Sequence, residues 1–596
     1  MKRKSIYRIL ACCTIVCAFT ACTDVWDEHY KMDDSMLGQT GDSYLWELIK
    51  DDPDLEEFSA LLKATGYDTL LMTNRSYTIW APVDGSGFID MATLGQATKE
   101  QLDAYKKEIV ENHIANYVHA ASGIRDKEDR KNYAMVEMLN TKKYDFESVA
   151  LNEYTFDGIA IDASNSNIVA KNGMLHRLET GYVDFAANIW EQLSRVPKLS
   201  KLWAFLKKDY KKEFNPAGSV QGPIEDGKVT WLERDSIESC RWFGEIGWLA
   251  REDSSYTMYA LSDDAWDDMY KTAKRYFKYP SSMVTLPSKG SLTAEKTTDS
   301  IVYNLMVRNL VFSNTVNKKF FNGQKDTLIA NAYPQQMFAG EEAHALKEGW
   351  VDTFALSNGT LYVVDQVNYN PFTCWFDTVR VQGEHLSDAD ANRKGFEQVF
   401  KSTINIHRDS LLYNRVSGHS IGVYKAEGNG NGVLPQFRFY VNDLLSAAYR
   451  IKIVLLPPQI INPADTTFIK PNKFTARLST DSFKLQLTND EGLPLEYVSD
   501  VTKIDTIVLF DYVEFNTCEY QKKGLTGKEP STYLEIETKI GFVSSVWANG
   551  TEDAIGSKKL PYPTYDEKAQ KNVGWKYDND FRIDEVIFEP INFRGE

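Results

Sequence analysis

Cysteine is scarce in this chain of 596 residues, which contains only seven. Three of the seven lie within the first 21 residues, and the others are Cys22, Cys240, Cys374 and Cys518, far apart in the sequence. No CxxC pair occurs, so the sequence indicates neither a cysteine-based zinc site nor a disulfide framework. The fold must therefore be stabilised by burial of apolar side chains.

Positive charge is also deficient. The chain has 67 lysines and arginines against 84 aspartates and glutamates, a formal net charge of −17. Removal of residues 1–21, which contain four basic and no acidic residues, would take this charge from −17 to −21. Because an acidic surface repels phosphate backbones and no basic run is interleaved with aromatics, nucleic acid is excluded as a partner.

Three motifs of common catalytic sites are missing as well. The sequence has no His-Glu-x-x-His zinc motif, no phosphate-binding loop of the Walker type and no Rossmann fingerprint. Pairs of acids such as Asp263-Asp264 could serve glycoside hydrolysis, but such pairs arise freely among 84 acidic residues. The sequence thus predicts no catalytic residue, no metal site and no cofactor, and hydrolysis is kept only as an alternative.

An apolar run long enough to span a membrane is absent too. The longest, residues 9–21, follows the basic segment 2–8 and ends in Phe-Thr-Ala-Cys, an imperfect lipobox. It is shorter than the roughly 20 residues that a spanning helix needs. This start resembles a bacterial lipoprotein signal, which predicts a signal peptide over residues 1–21, a lipid on Cys22 and a tether over residues 22–42. An ordinary secretory signal is the alternative.

Acidic residues follow the predicted lipid site directly. Asp24, Asp27 and Glu28 resemble the export signals of surface lipoproteins in Gram-negative bacteria that harvest glycans. A merely solvated tether is the alternative. The resemblance implies a lipid-anchored outer-membrane protein exposed on the cell surface, in contact with the membrane through its lipid alone.

The most informative feature that is present is an internal repeat. Three landmarks recur in the same order: 77–84, 109–112 and 172–176 in the first copy, and 256–263, 301–304 and 358–362 in the second. Chance matches would not keep their order, so the pattern predicts duplication of a whole domain.

Both copies resemble fasciclin domains. The family's core opens with a Thr-hydrophobic-aromatic-Ala-Pro-x-Asp strand and turn and closes with an Asn-Gly-x-hydrophobic-His strand, although Leu261 and Tyr362 replace the proline and the histidine in the second copy. The resemblance implies tandem compact α/β modules over residues 43–185 and 190–370, the second with an insertion near 207–255. It also implies adhesion or extracellular binding without general catalytic activity.

Three histidines, His113, His119 and His176, are candidates for chemistry in the first copy. The residues that the alignment on 109–110 and 301–302 places opposite them are Leu305, Val311 and Tyr362. Such replacements favour histidines that are hydrogen-bonded inside the fold. A catalytic or metal-binding role lost in one copy is the alternative.

Beyond Cys374 the hydrophobic pattern changes to period two. Residues 436–441, 449–453, 482–487 and 533–537 alternate apolar with polar side chains. Strands of this kind bury one face and expose the other, which predicts an all-β sandwich over residues 376–596. The last strand, 581–588, resembles the closing strand of galactose-binding-like jelly rolls.

Aromatic residues, 13% of the chain, gather in a loop-like segment near the C-terminus. The predicted ligand-binding residues are Trp547, Tyr562, Tyr565, Trp575 and Tyr577, with Asp578 as a polar partner. Aromatic faces stack on the C–H patches of sugar rings while neighbouring polar groups bind hydroxyls, so a glycan is the predicted ligand. The alternative is that these rings cover the end of the sandwich core.

These observations predict a non-catalytic, lipid-anchored binding or adhesion protein, accessory to a TonB-dependent glycan-uptake system. Its expected partners are a polysaccharide or surface glycan and an outer-membrane transporter or surface protein. The alternative is a structural protein–protein interaction component of an outer-membrane assembly without a glycan site.

Overall fold

The computed structural model describes residues 41–121, 124, 133–150, 153–162, 164–225, 227–233, 235–333, 335–366, 375–385, 389–390, 399–426, 436–456, 471–538, 564–566, 571–573 and 580–591. The chain divides into two compact units. Unit 1 comprises Met1–Ala260, Val311–Lys318 and Asp352–Val363, and unit 2 comprises Leu261–Leu310, Lys319–Val351 and Val364–Glu596. Among the helices in the described ranges, none has the length and apolar character needed to cross a bilayer. Cys22 lies outside these ranges.

The first repeat begins with helices that bury one apolar side. They are α1 (Leu45–Lys50), α2 (Glu56–Ala64), α3 (Tyr67–Leu70), α4 (Met91–Leu94) and α5 (Lys99–Tyr105), which continues into a π-helical turn, Lys106–Val110. In α2 the buried residues Phe58, Leu61 and Leu62 recur at helical spacing. Helix α5 begins at a capping box, in which Thr98 and Gln101 each accept the other's backbone N–H.

The strands of the first repeat form two four-stranded sheets. They are β1 (Tyr77–Ala81), β2 (Ile114–Asn116), β3 (Tyr133–Glu137), β4 (Lys143–Ala150), β5 (Glu153–Phe156), β6 (Ile159–Ala160), β7 (Ile168–Ala170) and β8 (Gly173–Arg177). One sheet has the order β2-β1-β8-β7 and the other is the meander β3-β4-β5-β6.

Strand β1 lies at the centre of this repeat, parallel to β8 and antiparallel to β2. All of its residues are buried, and alternation sends them to opposite faces. Ile79 packs in the core formed with the helices, whereas Trp80 packs with Phe146 and Phe156 of the meander. One buried strand therefore serves two cores.

The second repeat contains a further set of elements. They are α6 (Ile189–Arg195), α7 (Ser200–Lys207), β9 (Tyr210–Phe214), β10 (Val220–Glu225), β11 (Lys228–Glu233), β12 (Ser236–Cys240), α8 (Arg241–Glu245), β13 (Tyr256–Leu261), α9 (Asp263–Tyr276), α10 (Ala294–Arg308), β14 (Val311–Ser313), α11 (Lys318–Phe321), β15 (Thr327–Ile329), β16 (Met337–Ala339), α12 (Glu341–Glu348), β17 (Trp350–Leu356) and β18 (Gly359–Val364). The segment predicted as an insertion holds the pairs β9–β12 and β10–β11.

The second repeat has a four-stranded sheet of its own, with the order β14-β13-β18-β17. Its strands correspond one by one to those of the β2-β1-β8-β7 sheet in the first repeat. Its first strand pair also has the same register, since Tyr77 faces Asn116 in one sheet and Tyr256 faces Ser313 in the other. The repeated sequence thus produces a repeated sheet.

This register corrects the middle landmark. Counting back from Asn116 and Ser313 places residues 306–309 opposite 109–112, so the predicted match to 301–304 was wrong. The residues opposite His113 and His119 become Leu310 and Val316. Helix α10 is apolar at several turns, so one Ile-Val pair within it resembles another, and only strand pairing fixes the alignment.

The regular elements of the C-terminal region are almost all strands in the described part. They are β19 (Val379–Gln382), β20 (Ala389–Asp390), β21 (Val399–Asn405), β22 (Ser420–Ala426), β23 (Gln436–Tyr440), β24 (Ala448–Leu455), β25 (Lys473–Ser479), β26 (Lys484–Leu485), β27 (Glu496–Val498), β28 (Asp505–Glu514), β29 (Tyr533–Thr538), β30 (Thr564–Asp566), β31 (Lys571–Val573) and β32 (Asp580–Pro590), with one short helix, α13 (Lys522–Thr526).

Two sheets of this region share one core. The first has the order β21-β22-β32-β24-β28 with β19 on β32, and the second the order β20-β23-β29-β25-β26 with β27 on β25. Side chains such as Ile451 and Phe588 of the first sheet and Phe437 and Ile536 of the second are buried together. Two antiparallel sheets that face one core have the arrangement of a β-sandwich.

The connection between α9 and α10 in the second repeat packs on the sandwich within unit 2. Tyr279 donates its hydroxyl to the carbonyl of Tyr520 at 2.7 Å, and the N–H of Cys518 donates to the carbonyl of Lys278 at 2.8 Å. Met283 and Ala294 join Cys518 in a small apolar cluster. Experiments on the sandwich are therefore best made on the full chain.

Candidate functional site

The predicted aromatic site lies mostly beyond what the structure describes. Trp547, Tyr562, Trp575, Tyr577 and Asp578 are outside the described residues. The structure describes the backbone of Tyr565, which lies in β30 and pairs with β31, but not its side chain. This site stays a prediction.

The histidines of the first repeat are hydrogen-bonded in the interior. His113 donates from Nδ1 to the carbonyl of Ile109 at 2.7 Å and accepts at Nε2 from the N–H of Val183 at 3.0 Å. His176 donates from Nε2 to the carbonyl of His119 at 2.8 Å. Burial lowers the pKa of both His113 and His176 to about 4, so both imidazoles are neutral. The predicted structural role is confirmed.

The ring at position 176 is also part of an aromatic stack that recurs in the second repeat. Trp80 stacks on His176 with ring centroids 5.5 Å apart and planes at 19°. Tyr259 stacks on Tyr362 with centroids 5.2 Å apart and planes at 15°. Both members of the pair differ between the repeats while the stack persists, which is expected of packing and not of a conserved chemical group.

A pH dependence follows from the buried histidines. The folded-state pKa of about 4 lies below the unfolded value of 6.5, so the unfolded chain binds more protons between these pH values and stability falls as pH falls through this window. Each histidine would contribute about 3 kcal/mol to this loss by pH 4. We expect His176→Tyr, which introduces the residue type found at Tyr362, to flatten the dependence.

Urea unfolding at a series of pH values from 7 to 4 measures this effect. The exposed His407, changed to Tyr in a control variant, should leave the slope unchanged. An H176Y variant with the pH dependence of the parent protein would contradict the assignment.

In both repeats the asparagine of the Asn-Gly landmark joins separate backbone segments through its side-chain amide. Asn172 accepts the N–H of Leu45 at 2.9 Å and donates to the carbonyls of Leu71 and Thr73 at 2.8 and 2.9 Å. Asn358 makes the corresponding bonds. It accepts the N–H of Ile189 at 2.9 Å and donates to the carbonyls of Leu249 and Arg251 at 2.8 and 3.0 Å. The amide satisfies backbone groups at a helix start and a loop, so its function is to hold the fold.

One sequence match to a hydrolase motif is also structural. Residues 418–422, Gly-His-Ser-Ile-Gly, have the Gly-x-Ser-x-Gly spacing, which in hydrolases forms a strand-to-helix elbow with an exposed serine. Here the segment leaves a 3₁₀ turn, Ser417–His419, and enters strand β22. Ser420 is buried and donates to Oε1 of Glu384 at 2.6 Å, while His419 donates to the carbonyl of Tyr413 at 2.7 Å. Among the described residues no histidine bonds to this hydroxyl, so the arrangement shows no base that would activate the serine.

A cleft of about 310 Å³ lies in the first repeat, beside the Pro-x-Asp turn. Its lining includes Asp54, Asp84, Asp162, Arg177 and Glu179. Arg177 is paired with Asp54 at 3.1 Å, and Asp84 accepts backbone N–H groups at the start of α2, at 2.9 and 3.1 Å. These contacts support the fold. In the described residues no group of three or more histidine, cysteine or acidic side chains is placed to hold a metal.

The outer face of the second sandwich sheet has polar side chains in regular rows. Strand register aligns its side chains in three rows across β23, β29 and β25. The rows are Tyr440–Tyr533–Ser479, Arg438–Glu535–Arg477 and Gln436–Glu537–Thr475. We call these nine residues the polar face.

The contacts within the polar face are close. Oε2 of Glu535 lies 2.7 Å from Arg438, and Oε1 lies 3.1 Å from Arg477. The guanidinium of Arg438 also lies over the ring of Tyr533, 4.5 Å from its centroid, and Tyr440 meets Tyr533 edge to face at 5.6 Å. The face therefore combines aromatic rings with paired donors and acceptors.

Sequence reasoning did not single out the polar face. It used the alternation in residues 436–441 and 533–537 only to predict strands. The outward positions of that alternation, which include Arg438, Tyr533 and Glu535, were a usable signal. Which of them become neighbours depends on strand order, which the alternation does not specify.

Comparison with known proteins identifies one domain. Residues 53–180 match the family model described as "Fasciclin domain". Among solved structures, a FAS1 domain pair from the insect cell adhesion molecule fasciclin I aligns with 54% of this chain and 98% of its own, at 12% identity and a TM-score of 0.19. No curated protein matches the chain. The resemblance inferred from the first repeat is confirmed for residues 53–180.

Proposed function

We propose that this chain, with its fasciclin domain at residues 53–180, is a non-catalytic binding or adhesion protein of the bacterial cell surface. Fasciclin domains are commonly adhesion or binding modules. The observation that carries the proposal is the stacked pair that persists while its chemistry changes, Trp80–His176 against Tyr259–Tyr362. A site that tolerates such exchange supports packing as its role and leaves recognition to exposed surfaces.

The second repeat is proposed to be a fasciclin-like module as well, in tandem with the first. Support comes from the shared strand order of the two sheets and from the matching hydrogen bonds of Asn172 and Asn358. Fasciclin modules in tandem would act as a spacer or as a docking surface for a transporter.

The C-terminal sandwich is proposed to be a galactose-binding-like jelly roll that binds a glycan. Under this proposal the protein is anchored through a lipid on Cys22 and accompanies a TonB-dependent glycan-uptake system. The aromatic and polar residues predicted between Trp547 and Asp578, together with the polar face, support a carbohydrate ligand, because rings and paired polar groups are what sugars bind.

The test uses the mature protein with Trp547→Ala and Trp575→Ala. We expect the double variant to bind polysaccharide about tenfold more weakly in gel-retardation assays, since each truncation removes a ring on which a sugar stacks. Tyr333, 87% exposed and in the second repeat, supplies a matched control as Tyr333→Ala. Protease treatment of intact cells tests exposure in parallel, and protection of the protein would argue against the surface location.

The alternative, a protein–protein component of an outer-membrane assembly, has one observation in its favour. Ile224 and Val229 face each other across the β10–β11 hairpin and are 67% and 42% exposed. Exposed apolar pairs mark interaction surfaces. Under this alternative the tryptophan double variant would keep its behaviour, and no polysaccharide would retard the parent protein.

A further inference from the structure

We propose that the polar face of the second sandwich sheet is itself a saccharide site, specific for neutral sugars. This inference rests on the proposed glycan-binding function of the C-terminal domain and assigns it a place and a ligand class. The aromatic loop residues predicted from the sequence are a separate candidate for the same ligand.

The geometry of the rows suits a sugar ring. Tyr440 and Tyr533 lie side by side at one end of the face, and the guanidinium of Arg438 fixes the ring of Tyr533 from one side. A rigid aromatic pair offers a stacking surface for C–H groups at low cost in side-chain entropy. The charged row lies two residues along each strand from the tyrosines, on the same side of the sheet. It is therefore within reach of hydroxyls on the same sugar or on its neighbour.

The charged row can bind adjacent hydroxyls. Glu535 is held by both arginines and is only 2% exposed, whereas the side chain of Arg477 is 40% exposed. An arginine presents five N–H donors in a fixed fork, so Arg477 can keep its ion pair with Glu535 and still donate outward. Glu537, in the third row, accepts from Gln436 at 2.5 Å and places a further carboxylate on the same surface.

The third row contains an unsatisfied group that points to a ligand. Thr475 is 1% exposed, and its Oγ1 has no hydrogen-bond partner in the described part of the chain. Its inward neighbours Phe474 and Ala476 belong to the core, so alternation places Thr475 on the outer face. Buried hydroxyls are normally hydrogen-bonded, and an orphan of this kind deserves an explanation. A saccharide hydroxyl that displaces the side chains lying over Thr475 would supply the missing partner.

Charge balance decides the ligand class. Arg438 and Arg477 flank Glu535, and Lys473 pairs with Glu496 at 2.8 Å on the adjoining strands. Counted with Glu537 of the same face, three carboxylates balance these three cations, so the face has no excess positive charge for a uronic acid or a phosphate. A neutral saccharide, whose hydroxyls both donate and accept, matches paired charges best.

The experiment compares Tyr533→Ala and Arg477→Gln with matched variants on the other sheet, Tyr512→Ala and Arg450→Gln. Arg450 is an apt control because it is 41% exposed and pairs with Asp511 at 2.7 Å, much as Arg477 pairs with Glu535. The mature full chain is titrated with neutral polysaccharides (a glucan, a mannan and a galactan) and with polygalacturonate. Tyr533→Phe keeps the ring and should bind like the parent.

We expect each face variant to weaken binding of a neutral polysaccharide by about tenfold, with the control variants within about twofold of the parent. Binding that survives both face variants but is lost in Trp547→Ala, Trp575→Ala would overturn this site while leaving glycan binding in place. A preference for polygalacturonate would overturn the ligand class. If no polysaccharide binds the parent protein, the proposed function fails and this inference with it. Equal weakening by Tyr533→Phe would indicate altered folding and would also count against the site.

Discussion

Replacing Lys142 by methionine is expected to lower the free energy of unfolding of unit 1 by about 3 to 5 kcal/mol, because it leaves the buried carboxylate of Glu252 without its cation and Glu191 with Lys107 alone. The side chain of Lys142 is 1% exposed. Its Nζ lies 2.9 Å from Glu191 and 2.6 Å from Glu252, and it donates to Oγ of Ser357 at 3.3 Å. Methionine keeps most of the volume of the stem, so the loss would come from charge and not from a cavity.

The neighbouring residue supplies the control. Lys143 is exposed and pairs loosely with Glu137 at 3.6 Å, so Lys143→Met should change stability by less than about 0.5 kcal/mol. Adding Glu252→Gln to Lys142→Met should restore part of the loss, since one uncompensated charge is removed. Urea unfolding of the three variants measures these differences. Equal stability of Lys142→Met and Lys143→Met would show that the cluster is not a stabilising ion pair.

The Lys142 cluster matters because it joins the two repeats inside unit 1. Lys142 precedes β4 of the first repeat, Glu191 lies in α6, and Glu252 and Ser357 belong to the second repeat. Burial raises the pKa of Glu191, but the charges of Lys107 and Lys142 lower it by more. The net pKa is below the usual value, so this carboxylate stays ionised. The cluster therefore ties segments far apart in the sequence together within unit 1.

Gly173→Ala is expected to destabilise the first repeat by more than about 4 kcal/mol, among the largest effects of any single substitution. An added Cβ would lie 1.9 Å from the carbonyl oxygen of Tyr77, on the central strand β1, and the backbone φ of +150° already disfavours a side chain. Gly359→Ala should behave alike, because its Cβ would lie 1.8 Å from the carbonyl oxygen of Tyr256 at a φ of +143°. Neither oxygen can move without breaking its sheet.

Gly158→Ala separates the two causes. Its φ is +77°, but no described atom lies within 4 Å of an added Cβ, so we expect a loss of only about 1 to 2 kcal/mol. Thermal or urea unfolding of the three variants provides the measurement. An equal loss of stability in all three variants would mean that the backbone conformation alone sets the effect. A small loss of stability in Gly359→Ala would argue against equivalence of the two repeats.

Much of the front half could be predicted from the sequence. The Asn-Gly landmark, the buried strand at Tyr77 and the structural role of the histidines are local or periodic features, and the structure assigns each to packing. The middle landmark was placed wrongly, because an amphipathic helix repeats its apolar pattern at every turn and offers several equivalent alignments. The strand pairs Tyr77–Asn116 and Tyr256–Ser313 removed that ambiguity.

Less of the candidate sites than of the fold could be predicted from the sequence. The alternation around Arg438 and Glu535 was visible, yet nothing in it specifies that Arg477, on a strand far along the chain, completes the row. The predicted aromatic residues from Trp547 to Asp578 were chosen by composition, and their test lies in binding experiments. Recognition surfaces depend on which strands become neighbours, and composition does not contain that information.

The sequence by itself determined that a strand with its Asn-Gly partner recurs, which positions are buried in it, and that further strands follow, because these depend on short-range periodicity and on the local conformational demands of residues such as Gly173. Only the tertiary structure decided that Lys142 meets Glu191 and Glu252, at sequence separations of 49 and 110, and that three strands align their polar side chains in rows. The physical reason is that such partners are set by chain closure and sheet register, in which a shift of one residue turns every side chain to the opposite face.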